Sequence, residues 1–147
     1  MKARVWLLAM VLAQPLFAAG EFDTTIPIPR SGKAELGWTS DKCSVRSVSL
    51  QHYPSAKTIE KARKSNPNDT SGVWWVFRVE NAGRQCRIKF WVDIYGENGE
   101  IVKSADKNEV VDGGMLDVYL TVPTRVKTID IADSPKARLR AELTEIK

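Results

Sequence analysis

Apolar and polar residues alternate along most of this chain, with the two-residue period of half-buried strands. From Cys86 to Tyr95, Cys86, Ile88, Phe90, Val92 and Ile94 share one parity, and Arg87, Lys89, Trp91, Asp93 and Tyr95 share the other. From Val73 to Glu80, the pattern turns Val73, Trp75, Phe77 and Val79 inward and Trp74, Val76, Arg78 and Glu80 outward. Asn81-Ala82-Gly83 supplies turn chemistry between the two runs, so they are expected to pair as a hairpin. Asn98-Gly99 marks a second turn, and Glu100 to Ser104 reads as the strand after it. Leu116, Val118, Leu120 and Val122 alternate with Asp117, Tyr119 and Thr121 until Pro123. Lys127 to Ile131 reads as a further short strand.

The remaining segments are less regular. Cys43 to Tyr53 reads as a strand whose phase slips, since Val48, Leu50 and His52 share a parity that Val45 does not. A β-bulge near Arg46-Ser47 accounts for the slip. Ala34, Leu36 and Trp38 form a short strand before it. Thr58 to Lys64 suits one or two helical turns, ended by Asn66-Pro67. Residues 137–146 alternate like a strand, yet Ser134-Pro135 is a helix start and Ala, Leu, Arg and Glu form helices well. Both readings stand, with strand favoured. About seven short strands, turns between them and little helix predict an all-β, immunoglobulin-like antiparallel β-sandwich.

The first residues change the picture of where this domain works. Lys2 and Arg4 precede an apolar run from Val5 to Phe17, followed by Ala18, Ala19 and Gly20. That is the order of a cleavable secretory signal peptide, and about 13 apolar residues fall short of a bilayer span. Residues 1–20 are therefore expected to be an address and 21–147 a single domain. No cysteine lies near the cut to carry a lipid, so the product is expected to be free in the periplasm or secreted.

Export bears on the cysteines. Cys43 and Cys86 are the two cysteines of the 147-residue chain, and an oxidising compartment favours a disulfide between them. On chain-entropy grounds, a loop of about 43 residues makes such a link worth roughly 4 kcal/mol. Removing Lys2 and Arg4 leaves 20 basic against 18 acidic residues, a net charge of +2. That is too mild for a dedicated nucleic-acid binder. The basic cluster Lys57, Lys61, Arg63 and Lys64 reads as a solvated loop or short helix. Asn68-Asp-Thr70 is a glycosylation sequon that matters only in a eukaryotic host.

Three stretches carry a family resemblance: Phe77-Arg-Val-Glu-Asn81, Val92-Asp-Ile-Tyr-Gly96 and Glu97-Asn-Gly-Glu-Ile-Val102. Over residues 73–122 the chain resembles bacterial immunoglobulin-like modules of the FxLYD type. Val stands for Phe, Ile for Leu and Gly for Asp in the naming motif. The cysteine pair and the Trp74-Trp75 doublet depart from it. The resemblance implies an extracytoplasmic sandwich, an accessory or interaction module with no catalytic residues of its own.

The residues themselves point the same way. The chain holds no Gly-x-Ser-x-Gly elbow, His-Glu-x-x-His, phosphate-cradling glycine loop or Cys-x-x-Cys. Its single histidine, His52, is expected at the core margin. The acidic pairs Glu97 with Glu100 and Asp112 with Asp117 sit at turns or on an outward face. A secreted hydrolase is the weakest reading. Asp106, Asn108, Glu109 and Asp112 are oxygen donors close in sequence, but they lack the order of a calcium loop. No cofactor and no metal are expected. The strongest candidate is aromatic: Trp74, Trp91 and Tyr95 fall on the outward parity of the two runs expected to pair. They would form one patch, with Arg78, Arg87 and Lys89 at its rim. That surface predicts a protein partner first. A carbohydrate whose rings stack on the aromatics is the alternative.

Overall fold

In a computed structural model, residues 20–146 are described. The leader expected over residues 1–20 lies outside them save for Gly20. Eight strands and two helices follow in the order β1 (Glu21–Pro27), β2 (Lys33–Ser40), β3 (Cys43–Gln51), α1 (Ala56–Ser65), β4 (Thr70–Asn81), β5 (Cys86–Tyr95), β6 (Ile101–Val111), β7 (Met115–Lys127), α2 (Thr128–Asp133) and β8 (Lys136–Glu145). They build an all-β antiparallel sandwich. Sheet I has the order β1-β8-β5-β6, and sheet II has the order β2-β3-β4-β7.

The two most apolar strands lie in the middle of the two sheets. The inner residues of β4 (Val73, Trp75, Phe77, Val79) and of β5 (Ile88, Phe90, Val92, Ile94) are fully buried. Phe77 stacks on Phe90 across the core, with ring centroids 4.2 Å apart. This corrects the hairpin expected from the sequence. β4 pairs with β3 and β7, and β5 with β6 and β8. Alternation shows which side chains turn inward, but two strands that each offer a full apolar face can bury it across the core as readily as side by side. Residues 82–85 therefore cross from one sheet to the other.

Other elements arrive as expected or with a reason for the difference. The register of β3 shifts between Val45 and Ser47, where the bulge was expected. The tail is strand β8, because its alternate Ala137, Leu139, Ala141 and Leu143 bury between β1 and β5. The expected strand at Lys127–Ile131 is instead the short helix α2. There the Thr128 N–H donates to the Asp69 carbonyl at 2.9 Å and Ile131 enters the core, so one turn of helix redirects the chain from sheet II to sheet I. The strand expected to end at Ser104 runs on to Val111. In it Glu109 has the opposite parity to Asp106 and Asn108, so these oxygens spread over two faces.

α1 begins at Ser55, whose hydroxyl accepts from the Thr58 N–H at 3.2 Å, a capping interaction. Arg63 then ties α1 to Asp133 of α2 with two hydrogen bonds. Among the described residues, no helix is long and apolar enough to cross a membrane.

Candidate functional site

Because β4 and β5 face each other across the core, their outward residues point in opposite directions. The single patch of Trp74, Trp91 and Tyr95 does not form. Trp74 and Arg78 stand on the outer face of sheet II, and Trp91, Tyr95, Arg87 and Lys89 on the outer face of sheet I. The two surfaces differ in what holds their aromatics.

On sheet I the aromatics are occupied. The Lys89 ammonium lies 4.8 Å from the Trp91 ring centre, and the Arg140 guanidinium 5.4 Å from it. Lys136 lies 5.6 Å from the Tyr95 ring. Each is a cation–π contact worth up to about 1 kcal/mol at a partly exposed site. Below them runs an ionic lattice. Asp93 accepts from the Ser104 hydroxyl at 2.6 Å and from Arg140 at 3.3 Å, and Arg138 forks onto Asp23. The hydrogen bond from Arg138 holds the Asp23 carboxyl below the usual carboxylate range. A shallow depression of about 230 Å³ beside Trp91 is lined by Asp23, Arg138, Arg140 and Glu142. Arg87 is exposed beyond it.

On sheet II the aromatics are open. Trp74 is 42% exposed and Tyr119 61% exposed. Register places them on neighbouring strands, Trp74 opposite Pro123 and Tyr119 opposite Arg78. Val76, nearly buried, is the floor between them, with Ser49 on one side and Thr121 on the other. Arg78 donates to Asp117 at 2.8 Å, and Arg46 to Glu80 at 2.8 Å, so the charges around the aromatics are mutually neutralised. His52 departs from the expected core margin. The strand ends at Gln51, and His52 turns outward through a φ of 62°. Its ring meets Trp74 edge-on at 4.7 Å. A non-glycine residue in this region of φ is held there by its surroundings.

Tyr119 was visible in the sequence as an outward residue of its strand, but nothing there showed that its strand adjoins that of Trp74. The sheet order supplies that link.

The cysteines come together without bonding. Cys43 opens β3 and Cys86 opens β5, and both line one cavity of about 110 Å³ with Ser40, Asn81, Gly83 and Leu143. The strand directions bring them to the same end of the sandwich. Both are free thiols in the structure, where the disulfide expected from the sequence is not formed. Burial, reinforced by the neighbouring Cys86, pushes the Cys43 thiol up to about 12, and burial also raises Cys86. A thiol so raised is protonated at neutral pH and a poor nucleophile. In the reduced native protein at pH 8, iodoacetamide should therefore label Cys43 about a thousandfold more slowly than in the urea-unfolded chain. Comparable rates in the two states, measured by mass spectrometry, would contradict the burial of this pair.

No family model matches the chain, and no curated protein matches it. Among solved structures, it is similar to the enzymatically active domain of tailspike protein 4 of bacteriophage CBA120, at 7% identity and a TM-score of 0.24. The match covers 87% of this chain and 18% of that one, so the chain spans less than a fifth of the tailspike structure. A likeness at that level carries no argument about fold or function.

Proposed function

We propose that this domain is a non-enzymatic interaction module that works outside the cytoplasm and binds another protein through the outer face of sheet II. The observation that carries the reading is the pair of open aromatics, Trp74 and Tyr119, on one face of sheet II, with Arg78 directly opposite Tyr119. Trp, Tyr and Arg dominate the energetics of protein interfaces, because each buries a large area at little conformational cost. The neutralised charges around them suit an interface core, where unpaired charge is costly. Placement outside the cytoplasm rests on the leader-like residues 1–20. The resemblance to FxLYD-type modules supports the same role.

Residues Trp91, Tyr95, Arg87 and Lys89 stand apart from this surface. Lys89 and Arg140 cover the Trp91 ring and Lys136 the Tyr95 ring, so the reading gives these residues and the exposed Arg87 no direct part. A carbohydrate partner remains the competing chemistry at Trp74, since a sugar can stack on an open indole ring.

Capture from a cell-envelope extract onto immobilised domain tests the reading. Trp74→Ala and Tyr119→Ala are each expected to cut the captured partner by about 30-fold in affinity, the size of a hot-spot loss. Trp91→Ala should leave it within about twofold. Capture that survives both sheet II substitutions would sink the reading. A shift of Trp fluorescence by cell-wall or plant polysaccharides, lost in Trp74→Ala, would replace it with the carbohydrate one.

A further inference from the structure

A β-sandwich of two open sheets has four edge strands, and exposed edges invite unwanted pairing unless they are blunted. Three of the four are blunted here along their length. β1 carries Glu21 and Asp23 and ends at Pro27. β2 is broken by an irregularity between Glu35 and Trp38. β6 carries Lys103, Asp106, Lys107 and Glu109. The fourth edge, β7, is divided.

The phase of the β4–β7 ladder shows how. The bond from the Thr128 N–H to the Asp69 carbonyl continues the register in which Thr70 faces Lys127. Hydrogen-bonded and non-bonded pairs alternate in an antiparallel ladder. Hence Val126, Thr124, Val122, Leu120 and Val118 bond to β4, whereas Arg125, Pro123, Thr121 and Tyr119 aim their backbone groups at the open edge; before Val118 the register shifts, and Met115 faces Asn81. Pro123 has no N–H to present there, and Arg125 and Lys127 follow it, so the second half of β7 is closed to pairing. The first half, Met115 to Val122, has Asp117 as its one charged residue, and Arg78 already holds that carboxylate.

The same half is where apolar surface gathers. Among the described residues, six large hydrophobic side chains are exposed: Trp74, Ile101, Val110, Met115, Leu116 and Tyr119. Three are on this half-strand, and Val110 precedes the turn that leads into it. Leu116 lies in the register shift between Val118 and Met115, where the alternation of faces is interrupted, and it is 63% exposed.

We propose that the first half of β7 is a strand-acceptor edge, which takes an extended segment of a partner protein as a fifth strand of sheet II. The inference rests on the protein-binding reading above and gives the partner its chemistry. The open N–H and C=O groups of Tyr119 and Thr121 match an extended polypeptide backbone. Apolar side chains at alternate positions of that segment would lie beside the exposed Leu116 and the half-buried Val118. The regular part of this edge runs from Val118 to Val122 before Pro123 stops it. A second copy of this chain fits less well. Pairing β7 with itself about Tyr119 sets Thr121 and Pro123 of each copy opposite Asp117 and Met115, where the register is shifted and the proline has no donor to give.

The probe is a displayed library of random nine-residue peptides, selected on the whole domain. Selected peptides should alternate apolar residues and slow amide exchange at Tyr119 and Thr121 by at least tenfold. Thr121→Pro removes an N–H that the fold does not use, so it should keep the melting temperature within a few degrees while weakening the peptides at least tenfold. Three outcomes would overturn the proposal. One is a selection without binders. Another is a set of binders indifferent to Thr121→Pro but lost in Trp74→Ala, which would leave the protein-binding reading standing. The third is concentration-dependent dimerisation of the domain alone that protects the same amides.

Discussion

Replacing Trp75 by alanine should destabilise the domain by about 3–5 kcal/mol, the usual cost of removing a fully buried large aromatic, while the same change at Trp74 should cost under about 1 kcal/mol. The two residues are adjacent in sequence and identical in chemistry. Trp75 is fully buried among the inner residues of sheet II, in register with Leu50 and Val122. Trp74 stands on the outer face beside His52. Chemical denaturation separates them directly. The indole N–H of Trp75 has no protein hydrogen-bond partner. Trp75→Phe deletes that group and leaves a modest void, so it should fall within about 1.5 kcal/mol of wild type. Equal losses for Trp74→Ala and Trp75→Ala would contradict the assignment of faces.

Asn81→Ala is the second large effect, expected at about 3 kcal/mol and a fall in melting temperature on the order of 10 °C. Asn81 is 1% exposed at the end of β4. Its side-chain amide donates to the Arg84 carbonyl at 2.7 Å and the Val111 carbonyl at 3.2 Å, and it lies 3.3 Å from that of Asp112. Its carbonyl accepts from the Gly83 N–H at 3.1 Å. One side chain thus joins the crossing from β4 to β5 with the turn from β6 to β7. The two backbones meet so closely that a Cβ on Gly113 would come within 2.3 Å of the Gly83 carbonyl oxygen. Alanine strands these buried groups, each at about 1–3 kcal/mol. Asn81→Asp should be at least as harmful, because it keeps the acceptor but sets a carboxylate among carbonyls. Thermal melts of the two variants check both statements. A loss under 1 kcal/mol for Asn81→Ala would mean that water or a shifted turn replaces these bonds.

Asn81 also shows what the sequence could and could not disclose. Asn81-Ala82-Gly83 is turn chemistry, and a tight reversal of the chain does occur there. The reversal carries the chain between sheets, because the buried amide links it to a turn more than 25 residues later. That partner is invisible in local pattern. The inward parity along β4 and β5 was legible, since every inward apolar residue from Val73 to Val79 and from Ile88 to Ile94 is buried, although Val76 and Asp93 are buried on the outward parity as well. Strand pairing was not legible, and the candidate patch assembled from parity and presumed pairing fell apart for that reason. Tyr119 entered the site because β7 lies beside β4, a fact of long-range order. His52 left the core margin because the chain turns through positive φ, a change that side-chain alternation cannot signal. β8 was resolved as a strand by its place between β1 and β5, where tertiary burial outweighs the helix propensity of Ala, Leu and Arg.

Oxidative footprinting of the domain, free and bound to its captured partner, tests the central claim most directly. The free protein should be labelled at Trp74, Tyr119 and Met115 and more weakly at Trp91. In the complex, labelling of Trp74 and Tyr119 should fall at least fivefold while that of Trp91 and Tyr95 stays unchanged, because the partner covers sheet II and leaves the cation-held aromatics of sheet I as they were. Protection of Trp91 and Tyr95 with Trp74 still open would place the working surface on the opposite sheet and contradict the account.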